Sequence, residues 1–287
     1  MGKKLELISE KSERIVVFLA RKVPGLSNAK AHILVRNGEV RVNGKREKTN
    51  AVIEAGDTVN VFIPDELQVE LPALKIIYDD ENIVVFDKPK RTAYDALPQL
   101  YDAPLYSVHR IDTNTTGIIV FAKSEYVLSE LAEAFKQRRV QKTYRAVVYP
   151  APECDGETLT AYTKLLTDKN IALVSDKPLP GYKTMITEYR VKERIAGAAV
   201  LEVNPHTGRT HQIRAHLGFI GCPIIGEHKY GIKDVIEPVG APDSQMLAAT
   251  KLTFFGLKGK LAYLNDKTFE TSDGFDLSFL RNNSDKE

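Results

Sequence analysis

Two short stretches of this chain concentrate side chains that could carry out acid–base or nucleophilic chemistry. In the first, His109, Arg110 and Asp112 fall within four residues, and Gly117 then leads into the apolar run Ile118–Ala122. The β-branched run predicts a buried strand, and Gly117 predicts a tight turn or a close approach of two backbones. Charged loops on rigid strands often hold catalytic groups. An Arg–Asp pair that only pins the loop is the alternative.

In the second stretch three histidines recur five residues apart, at His206, His211 and His216. Five residues rotate by about 140° on a helix, and an odd spacing alternates faces on a strand. Neither geometry brings three imidazoles together as the i, i+4 pair of a zinc helix does. We therefore predict no metal site. A metal-dependent hydrolase, and histidines that cap or pack a turn, are the alternatives.

Both stretches resemble motifs of one enzyme family. His109–Gly117 resembles the HRLDxxTSG signature of the RluA-like pseudouridine synthases, with Ile111 in place of Leu and Thr116 in place of Ser. Thr207–His216 is similar to the TGRTHQIRxH motif of the same family. The resemblance implies an enzyme that isomerises uridine to pseudouridine in structured RNA, with no cofactor.

The resemblance also implies the catalytic set. Asp112 stands at the catalytic position, and Arg214 at the position that pairs with it. An aspartate that attacks in a cleft must stay ionised, and a guanidinium nearby favours the charged form. Gln141–Ala146 resembles the K-x-Y-x-A element, in which Tyr144 lies against the target uracil and is the candidate base. The alternative for Tyr144 is a core aromatic.

The same motifs imply the substrate contacts. Met246–Phe254 resembles a late LLHAxxLxF segment, with Ala248 in place of the usual His, and Lys88–Pro89 resembles the early KPxG element. The predicted substrate-binding residues are His109, Arg110, Thr116, Gly117, Lys142, Arg209, Thr210, His211, Gln212 and Leu247. For Arg110 we predict that its planar cation fills the gap left when the uridine is flipped out of a helix. A contact with the RNA backbone alone is the alternative.

Length and composition exclude several classes. The 287 residues, 43% hydrophobic and 27% charged, fit a globular chain with one large domain or a large and a small one. No apolar run approaches the roughly 18 residues of a membrane helix, and the N-terminus has no apolar signal segment. Two cysteines, Cys154 and Cys222, predict neither a disulfide framework nor a metal site. We expect a cytoplasmic monomer.

Residues 13–65 predict a small N-terminal domain. Apolar residues at helical spacing cover Arg14–Lys22, Ser27 can cap a second helix through Arg36, and Asn43–Gly44 marks a hairpin turn. With the pattern G-x-V-x-V-N-G-K at Gly38–Lys45, this order resembles the S4 RNA-binding domain.

The clustering of basic residues along the chain indicates an RNA partner more clearly than the net charge does. A net charge of +2 names no partner, but basic residues cluster in residues 1–65 and in Lys136–Arg145. Phosphate binding requires such clusters, although a solvated basic face has the same composition. The predicted RNA-binding residues are Lys30, Arg36, Arg41, Lys45, Arg138 and Arg139.

After a linker at 66–74, residues 75–282 predict the catalytic domain. Ser124 can cap a helix through Arg139, and the strand candidates outnumber the helices and come in runs. This predicts an α+β fold with a largely antiparallel mixed sheet, and the resemblance implies the pseudouridine synthase fold. The expected substrate is large-subunit ribosomal RNA. The alternatives are transfer RNA, and a non-catalytic RNA-binding protein on the same fold.

Overall fold

A computed structural model of the chain describes residues 2–23, 26–65, 74–90, 92, 94, 97–98, 101, 103–231 and 238–284. The chain divides into two compact units, Met1–Leu74 with Thr92–Tyr106 and Lys75–Arg91 with Ser107–Glu287. Of the predicted linker at 66–74, all but Leu74 lies outside the described residues. The domain boundaries therefore stay a prediction.

The first unit is a small α/β structure around a four-stranded antiparallel sheet. Its elements are β1 (Lys3–Ile8), β2 (Glu13–Arg14), α1 (Ile15–Lys22), α2 (Asn28–Asn37), β3 (Val40–Val42), β4 (Lys45–Glu47), β5 (Val52–Ile53) and β6 (Thr58–Ile63). The sheet order is β1-β6-β3-β4, and β2 pairs with β5. Phe18 and Leu34 from the helices and Val59 from β6 share one buried core.

Local sequence signals account for most of this unit. Ser27 Oγ accepts a hydrogen bond of 3.3 Å from the backbone N–H of Lys30, and Gly38 ends α2 with a φ of 72°. Both residues of the Asn43–Gly44 turn have positive φ, as a two-residue hairpin requires. The predicted domain starts at residue 13 and so omits β1, which pairs with β6 over its full length.

The second unit is built on an eleven-stranded sheet. Its strands are β7 (Lys75–Asp79), β8 (Ile83–Lys88), β9 (Tyr106–Ser107), β10 (Thr116–Ala122), β11 (Val140–Val148), β12 (Gly156–Leu166), β13 (Ile171–Ser175), β14 (Lys183–Ile195), β15 (Ala198–Pro205), β16 (Leu247–Phe254) and β17 (Thr268–Glu270). The main path runs β13-β12-β14-β15-β11-β16-β10-β8-β7, with β17 beside β16 and β9 beside β10. The β10–β16 pair is parallel, whereas the other registered pairs are antiparallel. The predicted α+β fold with a largely antiparallel mixed sheet is confirmed.

The described residues of this unit form three α-helices: α3 (Glu125–Lys136), α4 (Gln212–Phe219) and α5 (Ser278–Ser284). Ser124 caps α3 through its side chain, as predicted, but the helix ends at Lys136 rather than Arg139, because Arg138 has a left-handed φ of 58°. A 3-10 helix covers Gly259–Leu264. Within the described part of the chain, no helix is long and apolar enough to cross a membrane.

The predicted strands are present and generally longer than predicted. The apolar run Ile118–Ala122 is the buried part of β10, a central strand of the sheet. Strands β12 and β13 were not predicted. In β12, Leu159 and Ala161 alternate with exposed threonines, but the next buried position is the polar Thr163, which interrupts the apolar face that marks a half-buried strand. The site described next depends on the central strands and on α4.

Candidate active site

A cavity of about 140 Å³ is lined by the loop 110–115, strands β11 and β16, and the segment 205–214 that leads into α4. Most residues predicted for catalysis or substrate binding line it: Arg110, Asp112, Lys142, Tyr144, Arg209, Thr210, His211, Gln212, Arg214 and Leu247. His109, Thr116 and Gly117 do not. The two sequence motifs, about a hundred residues apart in the chain, therefore meet at one cavity.

Arg214 joins two carboxylates at the wall of this cavity. Its Nη1 donates to Asp112 Oδ2 at 2.8 Å, while Nε and Nη2 donate to the two oxygens of Glu227 at 2.6 and 2.8 Å. The side chain of Glu227 is 1% exposed, that of Arg214 10%, and that of Asp112 23%. Glu227 thus holds the guanidinium from the buried side in fork geometry, and Asp112 meets it from the open side.

This arrangement fixes the charge of the buried pair. Burial opposes a charged Arg214, but the hydrogen bonds and charges of Glu227 and Asp112 outweigh it and raise the pKa of the guanidinium. Burial would likewise raise the pKa of Glu227, but the hydrogen bonds and charge of Arg214 lower it overall. Both groups are ionised at neutral pH, so Arg214 presents a fixed cation to Asp112.

The side-chain amide of Gln212 fixes the start of α4, two residues before Arg214. Its oxygen accepts hydrogen bonds from Thr207 Oγ1 (2.7 Å) and the Arg209 N–H (2.9 Å), and its nitrogen donates to the Ile186 carbonyl (2.8 Å). The amide is buried, so these bonds also satisfy polar atoms that water does not reach. Gln212 therefore acts on the cavity by shaping the turn that leads into α4.

Lys88 and Gln245 hold the loop that carries Asp112. The Lys88 ammonium donates to the carbonyls of Pro89 and Thr113, both at 3.0 Å, and Gln245 Nε2 donates to Thr115 Oγ1 at 2.8 Å. Burial lowers the pKa of Lys88 to about 7, against the opposing effect of the Asp112 charge. Both anchored loop residues, Thr113 and Thr115, follow Asp112 along the chain, so these bonds fix the loop directly after the carboxylate.

Gly117 lies at a close approach between β10 and β16. Its φ is 101°, and a Cβ at this position would lie 2.1 Å from the Ala249 carbonyl oxygen. Only glycine fits, as the sequence predicted. The predicted substrate contacts of Thr116 and Gly117 stay a prediction, since neither residue lines the cavity.

His109 joins the loop that carries Asp112 to strand β10 and helix α3. Its Nε2 accepts a hydrogen bond of 3.0 Å from the Val120 N–H, and its ring stacks on Phe135 with the centroids 4.6 Å apart. Burial and the charge of Lys142 lower the pKa of His109 to about 3, so the ring is neutral. These contacts give His109 a structural role, and its predicted contact with the substrate stays a prediction.

Tyr144 and Lys142 bring polar groups from β11 to the cavity. Burial, and to a smaller extent the Asp112 charge, raise the pKa of Tyr144, so its phenol is protonated at neutral pH. Burial lowers the pKa of Lys142. Arg110 also lines the cavity, and its Nη2 lies 3.5 Å from Thr210 Oγ1. The cavity thus combines one carboxylate, one phenol and several cations.

The three regularly spaced histidines do not converge. His206 Nε2 lies 3.2 Å from Glu188, His211 Nδ1 lies 2.7 Å from the Tyr230 hydroxyl, and His216 Nδ1 lies 3.0 Å from Thr187 Oγ1. Among the described residues, no three His, Cys, Asp or Glu side chains are grouped so that they could hold a metal ion. Each histidine instead has its own polar partner.

The predicted RNA-binding residues fall into two groups. In the first unit Lys30 and Arg36 lie on α2, Arg41 on β3 and Lys45 on β4. Arg36, Arg41 and Lys45 are exposed. In the second unit Arg138 and Arg139 follow α3. Among the described residues the Arg138 side chain has no hydrogen-bond partner, whereas that of Arg139 bonds to the Gly256 carbonyl at 3.3 Å.

Glu227 and Tyr230 are the site residues that sequence reasoning missed. The Tyr230 ring lies against the Arg214 guanidinium, 5.4 Å from its carbon, and Glu227 binds the same group. The available signal was weak: an acidic residue and a tyrosine three apart, directly after the apolar pair Ile224–Ile225 and a glycine. Their common partner Arg214 lies 13 residues before Glu227 and 16 before Tyr230, a separation that periodicity does not reveal.

Comparison with known proteins agrees with this geometry. Residues 68–218 match the family model described as RNA pseudouridylate synthase, and residues 13–59 match the S4 domain. The ribosomal large subunit pseudouridine synthase C of Vibrio cholerae is 32% identical over 246 residues, 76% of this chain and 77% of that protein. The uncharacterized RNA pseudouridine synthase YlyB of Bacillus subtilis is 31% identical, over 79% of this chain and 82% of that protein. The solved structure of human RNA pseudouridylate synthase domain containing 1 shares the fold, with a TM-score of 0.60 at 23% identity, over 74% of this chain and 89% of that one.

Proposed function

This chain belongs to the RNA pseudouridylate synthase family, and we propose that it isomerises uridines in large-subunit ribosomal RNA with Asp112 as its catalytic residue. The observation that carries the assignment of Asp112 is its bond of 2.8 Å to Arg214 at the wall of an open cavity. Arg214 is held from behind by a buried glutamate. A carboxylate in that position is oriented by the guanidinium and accessible from the cavity.

The reaction breaks the bond between C1′ and N1, turns the uracil and joins C1′ to C5. It needs a carboxylate that reaches C1′ or C6, an acceptor for the C5 proton and walls that retain the detached base. Asp112 supplies the first of these. Attack at C1′, attack at C6 and formation of a glycal all require this carboxylate to face the ribose–base junction.

Tyr144 is the acceptor for the C5 proton in its phenolate form, so its own proton first passes to water, and a proton from water ends on N1 of the turned base. Its phenol is protonated before the reaction, in part because the Asp112 charge opposes its ionisation. If Asp112 forms a bond to the substrate, that charge disappears and ionisation of Tyr144 becomes less costly. Because the Asp112 charge opposes ionisation of Tyr144, the reaction has an order: the carboxylate reacts first, and the C5 proton leaves afterwards.

The remaining lining residues bind the base that is flipped out of its helix. Flipping costs a few kcal/mol of stacking and pairing, and the exposed Arg110 at the mouth of the cavity is positioned to stack in the vacated space. The cavity wall that would enclose the base also includes Leu247, Thr210 and His211. Lys30, Arg36, Arg41 and Lys45 of the S4 domain add affinity through phosphate contacts.

Large-subunit ribosomal RNA is the proposed target because relatives at 31–32% identity are named for it. We expect the protein to work in the cytoplasm as a monomer, where its two free cysteines stay reduced. Size-exclusion chromatography with light scattering tests the monomer.

The deciding experiment maps pseudouridine across total RNA from cells that lack this protein, complemented with the wild type or with Asp112→Asn. We expect one or more sites in large-subunit ribosomal RNA to be lost without the protein and restored only by the wild type. Loss of transfer RNA sites alone would redirect the assignment of the target. Restoration by Asp112→Asn would overturn the catalytic role of Asp112.

A further inference from the structure

A groove of about 890 Å³ adjoins the active-site cavity and carries an excess of positive charge. It is lined by five cationic side chains, Arg110, Lys136, Arg138, Lys142 and Arg209. The carboxylate that lines it, Glu188, already pairs with His206 at 3.2 Å and Arg190 at 3.3 Å. Arg110, Lys142 and Arg209 line the cavity as well, so the groove and the cavity share a wall.

The five cations differ in their partners. Lys136 pairs with Glu133 at 3.5 Å, Arg209 Nε donates to the Thr184 carbonyl at 3.0 Å, and Arg110 reaches a threonine hydroxyl. The side chains of Arg138 and Lys142 have no hydrogen-bond or ion-pair partner in the part of the chain that the structure describes. Among the described residues, two of the five cations therefore lack any hydrogen-bond acceptor, and only Lys136 is paired with a carboxylate.

Lys142 is the more deeply placed of the two. It lies on β11 between the cavity and the groove, and burial disfavours its charged form enough to lower its pKa. A cation withdrawn from water without an acceptor is unfavourable. A phosphate oxygen in the groove would supply both the acceptor and the opposite charge.

Arg138 has an unfavourable backbone conformation. Its N–H bonds to the Phe135 carbonyl (3.2 Å) and the Arg139 N–H bonds to the Ala134 carbonyl (2.9 Å), which together close α3 in a Schellman motif. The residue at this point has a left-handed φ, here 58°, and is usually glycine. Most other non-glycine residues with positive φ in the described chain are Asn, Asp or His, which tolerate it better. An exposed arginine here costs stability, which is typical of a residue kept for function.

We propose that this groove binds the RNA strand that adjoins the flipped uridine, with Lys142 and Arg138 each holding a backbone phosphate. The proposal rests on the proposed function for the identity of the polymer. Phe255, 38% exposed on the same groove, offers a ring face to a neighbouring base. The S4 domain would then contribute affinity for the RNA as a whole, and the groove would set the position of the reacting strand.

The test uses Arg138→Gly, for which a structural and a functional role predict opposite results. Glycine suits the left-handed conformation, so we expect the thermal midpoint of the full-length protein to stay equal or rise. We expect binding of a fluorescein-labelled oligouridine to weaken several-fold. The slope of log affinity against log salt should become shallower by about 0.7, as for one lost phosphate contact on a single strand. Fluorescence anisotropy at several salt concentrations measures both quantities.

Two further variants complete the design. Lys136→Gln removes the same charge from the same groove, but from a lysine already paired with Glu133, so it should change affinity and slope much less. Lys142→Met should weaken binding as Arg138→Gly does. Unchanged binding by Arg138→Gly, or an equal loss in Lys136→Gln, would overturn the proposal. Because binding is measured without turnover, an absence of pseudouridine formation would refute the proposed function and leave these results standing.

Discussion

The ion-pair network around Arg214 and the groove that adjoins the cavity differ in whether their charged side chains are paired. In the network Arg214 is bound by Asp112 and Glu227, with all three contacts between 2.6 and 2.8 Å. In the groove Arg138 and Lys142 have no such partner among the described residues. The chemical step requires a carboxylate oriented before the substrate arrives, whereas RNA binding requires cations that remain available for phosphates.

Removing the reacting charge should have the largest effect. Asp112→Asn keeps the size of the side chain but cannot attack as a carboxylate, so we expect turnover to fall by at least about 10⁴-fold. RNA affinity should stay close to wild type, because the groove cations are untouched. Release of tritium from RNA labelled at uridine C5, compared with equilibrium binding of the same RNA, checks both expectations. Turnover near the wild-type rate would end the assignment of Asp112.

Breaking the buried side of the network should be the next largest effect. Glu227→Gln leaves Arg214 without its buried counter-charge, and removing one partner of a buried pair costs about 3–5 kcal/mol. We expect a loss near 3 kcal/mol in the free energy of unfolding, since the amide still accepts one hydrogen bond. Urea unfolding at neutral pH measures it. Glu188→Gln, which removes a more exposed partner, is the matched control and should cost about 0.2–1 kcal/mol.

The stability that Glu227→Gln loses relative to the wild type should depend on pH in a definite direction. The pKa of Glu227 is lowered in the folded protein, chiefly by Arg214 against the effect of burial. Its ionised form therefore stabilises the fold above the ordinary glutamate pKa of 4.5, and this contribution is lost as pH falls through the lowered value. The stability gap between wild type and Glu227→Gln should narrow in acid. A gap that widens in acid would contradict the ion pair.

Tyr144→Phe tests which group takes the C5 proton. Because burial and the Asp112 charge raise the pKa of this phenol, its ionised fraction at neutral pH is small and grows roughly tenfold per pH unit. If proton removal limits the rate, single turnovers of the wild type should speed up with rising pH, and Tyr144→Phe should be slow at every pH. A fast, pH-independent Tyr144→Phe variant would assign the proton to another group.

Local signals predicted most of the helices and strands well. The predicted helix caps, helix end and close approach are present at Ser27, Ser124, Gly38 and Gly117. They could be predicted because each is determined largely by residues close in the chain. Both motifs were found because each is contiguous. The pairing of Asp112 with Arg214 came from the family resemblance, since a contact across about a hundred residues leaves no periodic trace.

What the sequence could not reveal is which charges are already paired. Arg138 and Arg139 are adjacent and of one type, yet only Arg139 bonds to the Gly256 carbonyl. The pairing of Glu227 could not be predicted for the same reason. Its position depends on the turn at Gly226, where a Cβ would lie 2.4 Å from the Ser244 carbonyl carbon. Lys142 was predicted for substrate binding, but only the assembled sheet shows that its side chain has no hydrogen-bond or ion-pair partner among the described residues.

The smallest expected effect comes from giving the groove a negative charge of its own. Gln141 is exposed and lines the groove, so Gln141→Glu would make the groove resemble the paired network. One carboxylate near bound phosphates costs on the order of 1 kcal/mol in water-like surroundings, so oligouridine affinity should fall about fivefold at low salt. Gln141→Met changes the shape but not the charge and is the control. The difference between the two variants should shrink as salt screens the charge. If both variants weaken binding equally at every salt concentration, shape rather than free positive charge governs the groove.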